Sequence, residues 1–157
     1  MALAQVASRA RVVLAVPLIL LIGAQFVRAN RTNPPSRPGA SLVAQKTTPP
    51  AVSAILDRSC RDCHSNDTRW PWYSHVAPIS WYLLHHINGG RDRMNYSEWT
   101  SYEPDDQDKF LNGMCSLTRK GRMPPASYLW LHRDARLSDA DIKTLCVWSD
   151  KMRDTLQ

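Results

Sequence analysis

Cys60, Cys63 and His64 stand in the pattern Cys-x-x-Cys-His. On a helix, residues three positions apart lie about one turn apart, so both thiols face the same side and the imidazole follows directly. Two thiols at this spacing can add across the two vinyl groups of a porphyrin, and a neutral imidazole is a good ligand for its iron. The pattern predicts one covalently attached haem, of the c type, with His64 as an axial ligand.

Other chemistries use parts of the same pattern. A redox dithiol is usually found in a βαβ context, which this sequence does not indicate, and it gives His64 no role. A structural zinc site needs further ligands, and the remaining cysteines, Cys115 and Cys146, stand singly. A disulfide between Cys60 and Cys63 would also leave His64 unexplained. Haem attachment is preferred to these alternatives because an export signal precedes the motif.

A second axial ligand is predicted in the segment 122–125 (RMPP). The thioether of Met123 is a soft, neutral donor that raises the reduction potential when it lies opposite histidine. The prolines that follow bias Met123 away from helical geometry. His86, on the apolar side of a predicted helix, is the alternative ligand, and it would give a lower potential.

The positive charge of the chain, formally +6, comes from its N-terminal part. Residues 1–47 hold six basic and no acidic side chains, whereas the rest holds 14 of each, so we expect no nucleic-acid binding. The apolar stretch Val12–Val27 follows Arg9 and Arg11, which is typical of a signal peptide or a membrane anchor. Residues 1–29 are therefore predicted to place the chain on the periplasmic side of a bacterial inner membrane, anchored or secreted.

Residues 30–47 are rich in proline and polar side chains, and they are predicted to form an extended linker. Residues 48–157 are predicted to form the haem-binding domain. Its fold class is mainly α, a cytochrome c-like bundle of about four helices wrapped around one haem. No stretch alternates long enough to predict a strand.

Helix boundaries follow from caps and prolines. Thr48 is expected to cap the first helix, which enters through two prolines and ends near Cys60. The second is expected from near Pro78 to Gly89-Gly90, with its apolar face carrying Ile79, Tyr82, Leu83 and His86. The third is expected to start at Pro104 and to end before Gly121. Ser138 and Asp141 form a capping box for the last.

The chain resembles the bacterial haem-binding domain family of small, membrane-tethered monohaem proteins. The matching motifs run in order from Asn33-Pro34-Pro35 to the last helix: 60–66 (CRDCHSN), 68–74 (TRWPWYS), 77–81 (APISW), Gly90-Arg91, 95–99 (NYSEW), 121–124 (GRMP), Leu137-Ser138 and 145–148 (LCVW). The resemblance implies haem c held through Cys60, Cys63 and His64, with Met123 as distal ligand. It implies no particular physiological partner.

Aromatic and basic residues near the motif are candidates for the haem pocket. Trp70, Trp72 and Tyr73 follow the attachment site and are expected to line the haem edge. Arg69 or Arg91 is expected to pair with a propionate, and a solvated surface role is the alternative for each.

The second pair of cysteines has a separate role. Cys115 and Cys146 fall on the buried faces of the third and last predicted helices. Two apposed cysteines in an oxidising compartment are expected to form a disulfide, and two separate core residues are the alternative.

Three functions are consistent with these residues. The first is a one-electron carrier between exported or membrane redox proteins, held at the inner membrane by its N-terminal segment. No nucleophile–base arrangement, carboxylate pair or second haem motif indicates an enzyme. The second is a haem-based sensor that binds a small ligand, which requires a displaceable sixth ligand. The third is an accessory haem subunit of a respiratory membrane complex.

Overall fold

The computed structural model of the chain describes residues 2–156, with side chains from residue 13 onward. Arg9 and Arg11 of the predicted leader lie outside the described side chains. The described part forms helices and no strand, which confirms the mainly α prediction. The α-helices are α1 Ala2–Ala24, α2 Pro50–Ser59, α3 Arg61–His64, α4 Ile79–Arg93, α5 Pro104–Arg119, α6 Ala126–Leu129 and α7 Asp139–Asp154. The 3-10 helices are Leu42–Ala44, Trp72–His75, Tyr96–Ser101 and Arg133–Ala135.

The chain divides into two compact units. We call the first the N-terminal unit; it takes in the chain up to Thr32 together with Trp70–His86. The second, the core unit, takes in Asn33–Arg69 and the chain from Ile87 onward. The core unit contains the Cys-x-x-Cys-His motif and Met123.

The hydrophobic core of the core unit is built mainly by α2, α5 and α7. Its buried members are Leu42, Val52, Leu56, Tyr96, Trp99, Leu111, Met114, Leu145, Trp148 and Met152. Polar side chains reinforce this packing, because the Ser149 hydroxyl donates to the Leu111 carbonyl at 2.7 Å and Arg153 Nε donates to Asp108 Oδ1 at 2.8 Å. Cytochrome c-like wrapping of these helices around a haem stays a prediction.

The helices α5 and α7 begin where the sequence predicts. Pro104 lies in the first turn of α5, where a missing N–H costs nothing, and two aspartates follow it near the positive end of the helix dipole. Ser138 and Asp141 form the predicted capping box of α7. A disulfide joins the two helices between Cys115 and Cys146, with an S–S distance of 2.00 Å.

Two helix predictions need correction. The residue before α2 is Pro49 and makes no side-chain cap, because the Thr48 hydroxyl donates instead to the Leu42 carbonyl at 2.7 Å. Helix α4 continues through the two glycines to Arg93. Its predicted apolar face is also wrong, because Ile79 and Tyr82 are about half exposed whereas Ile87 is fully buried.

The predicted linker is in large part a folded segment. Leu42 is fully buried in the core cluster, and the Ala40 carbonyl accepts from the Thr100 N–H. The Asn33 amide donates to the Thr68 carbonyl at 3.0 Å. A proline-rich, polar composition hid this packing because the segment binds through backbone groups and a few buried side chains rather than through a periodic apolar face.

In the N-terminal unit, α1 carries exposed apolar side chains from Val13 to Ile22. Within the described residues, no helix combines the length and the apolar character needed to cross a bilayer.

The α5–α7 disulfide closes a loop between cysteines 31 positions apart. Replacing Cys115 and Cys146 together with serine should lower the free energy of unfolding by about 3–4 kcal/mol, because the unfolded chain regains the conformational entropy of that loop. Urea denaturation of the wild type, the double variant and the reduced wild type measures this. Equal midpoints for all three would contradict the prediction.

Candidate haem-attachment site

The Cys-x-x-Cys-His motif forms one tight turn directly after α2. The Cys60 N–H still donates to Leu56 at the end of α2, and the Cys60 carbonyl accepts from the N–H of His64 at 3.0 Å. Cys60 packs against the core cluster, and both Cys60 and Cys63 are half-buried free thiols. The two sulfurs and the imidazole are therefore presented from a single turn that is fixed to the core.

Burial controls the chemistry of the two thiols. Burial, with a smaller contribution from the neighbouring Cys63, raises the pKa of Cys60 to about 12. Burial, with a smaller contribution from Asp62, raises the pKa of Cys63 to about 11. A redox dithiol works through a thiolate whose pKa is lowered, so these environments disfavour the dithiol alternative.

The imidazole of His64 is oriented by the backbone. Its Nδ1 lies 3.0 Å from the carbonyl oxygen of Met94. Because a carbonyl oxygen only accepts, Nδ1 carries the proton and the neutral ring has its lone pair on Nε2. Burial lowers the pKa of His64, opposed by hydrogen bonds to the carbonyls of Met94 and Gly90, so the ring is held in the neutral form that binds iron.

A close backbone approach brings α4 to this turn. A Cβ atom placed on Gly90 would lie 2.4 Å from the Cys63 carbonyl oxygen and 3.2 Å from the Cys63 Cβ. Only glycine fits this contact without displacing one of the two backbones. The approach also explains how the Met94 carbonyl, one turn further on, reaches the imidazole.

Asp62, between the two cysteines, is a buried carboxylate with several partners. Its Oδ1 accepts from the backbone N–H of Arg69 at 3.0 Å and pairs with Arg69 Nε at 3.3 Å. Its Oδ2 accepts from the hydroxyl of Tyr128 at 2.7 Å. Tyr128 lies in α6, immediately after the segment that contains Met123. The carboxylate therefore links the attachment turn to the Met123 region of the chain.

The residues after His64 are held by a polar network. Arg91 Nε donates to the Ser65 carbonyl at 2.8 Å, and its Nη2 donates to Thr68 Oγ1 at 2.9 Å. The Asn66 N–H donates to Ser97 Oγ at 3.0 Å, while the Asn66 side-chain oxygen accepts from Asn95 at 2.7 Å. Hydrogen bonds therefore join the two family motifs 60–66 and 95–99 to each other.

The predicted propionate partners, Arg69 and Arg91, are both engaged by the protein. Arg69 binds Asp62 and the Asp57 carbonyl, and Arg91 binds Ser65, Thr68 and Asn33. Through these hydrogen bonds, both arginines connect the chain segments around the attachment turn. Pairing with a propionate stays a prediction.

Met123 lies in a non-helical segment between α5 and α6 and is half-buried. Gly121 has a φ of 62°, which turns the chain away from α5, and the N–H groups of Arg122 and Met123 both donate to the Leu117 carbonyl. The absence of helix at Met123 agrees with its prolines. Its role as distal ligand stays a prediction.

The other pocket candidates fall in the N-terminal unit. Tyr73 is buried, Trp72 is 76% exposed, and the buried indole N–H of Trp70 has no hydrogen-bond partner. His86 is half-buried, with Nδ1 3.0 Å from the Tyr82 carbonyl of its own helix. Their predicted places around a haem stay predictions.

The structure adds residues that the sequence analysis did not assign to the site: Asp62, Gly90, Met94, Asn95 and Tyr128. The signal for Gly90 was present, because glycine inside a helix is unfavourable unless packing requires it. Met94 acts through its carbonyl, which no side-chain pattern reveals.

Comparison with known proteins identifies the family of the chain. A family model described as a haem-binding domain matches residues 19–151. The chain belongs to this haem-binding domain family. The resemblance found in the sequence motifs is confirmed, and haem is the cofactor. Neither the curated proteins nor the solved structures gave a match.

The residues of the turn fit a covalently held haem. Two free thiols one turn apart suit two thioether bonds, and a neutral imidazole with its lone pair on Nε2 suits an iron ligand. Within the described residues, no cluster of three or more histidine, cysteine and acidic side chains forms a metal site of another kind. Cys60, Cys63 and His64 would therefore hold the haem.

Replacing Gly90 with alanine should lower the free energy of unfolding by about 1–3 kcal/mol and lower the yield of haem-loaded protein, because the new methyl group overlaps the Cys63 carbonyl. Denaturation curves and haem absorbance per protein measure the two effects.

The neighbouring variant Gly89→Ala is the matched control. A Cβ at Gly89 meets nothing within 4 Å, so alanine there should be neutral or stabilising by up to about 1 kcal/mol. Equal behaviour of the two variants would show that the Gly90 contact does not matter.

Proposed function

We propose that the protein is a monohaem c-type cytochrome that transfers single electrons on the periplasmic side of a bacterial inner membrane. In this proposal Cys60 and Cys63 hold haem c through thioether bonds, His64 is the proximal ligand and Met123 the distal ligand. Bound haem supplies a one-electron ferric–ferrous couple whose potential depends on the axial ligands and on burial.

The observation that carries the proposal is the orientation of His64 between the free thiols and the Met94 carbonyl. A histidine with both ring nitrogens in solvent would have no preferred tautomer. Here the backbone holds the proton on Nδ1, so the lone pair of Nε2 would be available to bind a haem iron. A plain b-type site would not require two free thiols on the same turn.

The hydrogen bond between Tyr128 and Asp62 supports Met123 as the distal ligand. Asp62 lies inside the attachment turn, and Tyr128 lies five residues after Met123. A hydrogen bond to a buried carboxylate contributes about 1.5–3 kcal/mol, enough to keep α6 near the turn. This contact supports the proposal that the segment leading into α6 supplies the distal ligand, Met123.

The residues of the site support electron transfer rather than substrate chemistry. The two charged side chains between Cys60 and Cys63 are both paired: Asp62 forms an ion pair with Arg69 and accepts from the Tyr128 hydroxyl, and Arg61 forms an ion pair with Asp57. None of them is left as an acid, base or nucleophile for a reaction. The proposed partners are exported or membrane redox proteins.

The second cysteine pair supports export. The Cys115–Cys146 disulfide is of the structural kind that persists in oxidising compartments and is rare in reducing ones. Haem c attachment also takes place outside the inner membrane, so the proposed cofactor and the disulfide require the same compartment.

Covalent attachment can be tested with the four cysteines of the chain. Expressed in a bacterium that matures c-type cytochromes, the wild type should keep its haem in denaturing gels and in acidified acetone. Replacing Cys60 and Cys63 with alanine should abolish this covalent haem completely.

The double variant at Cys115 and Cys146 is the matched control, since it removes two cysteines that lie on other helices. It should keep covalent haem, with lower stability. Wild-type protein that releases its haem into acidified acetone would refute the c-type assignment.

The distal ligand can be tested by replacing Met123 with alanine. Loss of the iron–sulfur bond should remove the weak far-red absorption band of the oxidised protein and lower its reduction potential. Met114→Ala, which removes a buried methionine of the core cluster, should keep the band.

A band that survives in the Met123 variant would contradict the ligand assignment. Wild-type ferrous protein that binds carbon monoxide readily would point to the sensor function instead, because a firmly held methionine blocks that position.

A further inference from the structure

The N-terminal unit exposes an unusual amount of apolar surface. Nineteen large apolar side chains are exposed in the described part of the chain, and fifteen of them belong to this unit. Ten lie along α1 and the residues that follow it, up to Phe26 at 83% and Val27 at 63% exposure. The other five lie on the segment 72–82: Trp72, Val76, Ile79, Trp81 and Tyr82. A patch of this size on a small unit indicates a binding surface.

The same unit contains no acidic residue. Residues 1–32 and 70–86 include no aspartate or glutamate, whereas they contain four arginines and three histidines. All 14 acidic residues of the chain lie in the core unit. The apolar surface is thus combined with positive charge only, which favours an anionic partner.

A polar cavity of about 220 Å³ lies in this unit. Arg28, Arg31 and His75 line it together with Ser80 and Gln25. No acidic side chain lines it, and its arginine, histidine, serine and glutamine side chains can all donate hydrogen bonds to an anion such as a phosphate group.

Hydrogen bonds between residues 25–31 and 74–81 hold the walls of this cavity in place. The Gln25 amide bonds both the N–H and the carbonyl of Ala77, each at 3.0 Å. Arg31 Nη1 donates to the Ser74 carbonyl at 3.0 Å, and the indole N–H of Trp81 donates to the Val27 carbonyl at 2.9 Å. The basic groups are therefore carried on a built scaffold and not on a loose tail.

We propose that the N-terminal unit docks on a bilayer of anionic phospholipid and holds a lipid phosphate in this cavity, with Arg28 and Arg31 as the charged ligands. Trp72 and Trp81 then lie at the level of the headgroups, where the amphipathic ring of tryptophan is most stable. Apolar side chains beside arginines, with no acidic residue to repel the surface, are the combination that anionic membranes bind. The proposal is independent of the haem.

Flotation of the full-length, haem-loaded protein with vesicles tests it. At low ionic strength, vesicles with 30% phosphatidylglycerol in phosphatidylcholine should bind the wild type at least ten-fold more tightly than pure phosphatidylcholine. Each arginine near an anionic surface contributes roughly a five-fold gain in binding. Arg28→Gln combined with Arg31→Gln should therefore weaken binding to the anionic vesicles by about thirty-fold.

Two control variants distinguish the effect of this site from a general loss of charge or of an exposed tryptophan. Arg133→Gln with Arg136→Gln removes the same charge from exposed positions of the core unit and should leave binding unchanged. Trp72→Ala should weaken binding several-fold, whereas Trp130→Ala, equally exposed at 78% but in the core unit, should not. Equal effects of either variant and its control would overturn the proposal, as would equal wild-type binding to both vesicle types.

Competition with inorganic phosphate tests whether the cavity binds a lipid headgroup or a soluble anion. Inorganic phosphate, at an ionic strength matched with chloride, should not release the protein from anionic vesicles. Release by phosphate alone would identify a site for a free anion and would also overturn the proposal. Haem absorbance should be the same in the wild type and in both arginine double variants, so a failure of lipid binding in these proteins leaves the cytochrome proposal untouched.

Discussion

The site depends on the close contact between the attachment turn and the last turns of α4. Gly90 lets the two backbones approach so closely that no side chain fits between them. That approach brings the Met94 carbonyl to His64 Nδ1, and the hydrogen bond fixes both the tautomer and the plane of the ring. Residues 95–99 then continue directly from Met94 into the network that holds Asn66. A single backbone contact therefore sets the orientation of the ligand and the path of the chain on both sides of it.

Asp62 shows why polar side chains, and not only apolar ones, surround the attachment turn. A buried carboxylate is costly unless it is paired, and its partners here come from Arg69 and Tyr128, far apart in sequence. Removing Arg69 would take away the cationic partner of Asp62, and removing Tyr128 would take away the hydrogen bond to its Oδ2. Through its hydrogen bond with Tyr128, the carboxylate therefore couples α6 to the attachment turn. If Met123 is the distal ligand, as proposed, this link joins the two chain segments that hold the haem iron.

The sequence predicted the parts of the structure whose signals are local. The capping box at Ser138 and the proline start of α5 each depend on neighbours in the chain, and both are present as predicted. The parts it missed depend on distant backbone atoms. No periodicity shows that the Met94 carbonyl meets His64, that Leu42 completes the core from a proline-rich segment, or that α4 continues through two glycines. A glycine pair predicts a helix end because glycine commonly follows the last turn of a helix, where its conformational freedom is needed.

The two cysteine pairs illustrate how environment decides between chemistries for the same side chain. In an oxidising compartment, four thiols could pair in three ways. Burial raises the pKa of Cys60 to about 12 and that of Cys63 to about 11, so almost no thiolate forms there at neutral pH and exchange with other sulfurs is slow. Cys115 and Cys146 lie opposite each other with Cα atoms 4.9 Å apart, a distance that favours their own bridge. Burial therefore disfavours the thiolates of Cys60 and Cys63, whereas Cys115 and Cys146 are joined in a disulfide.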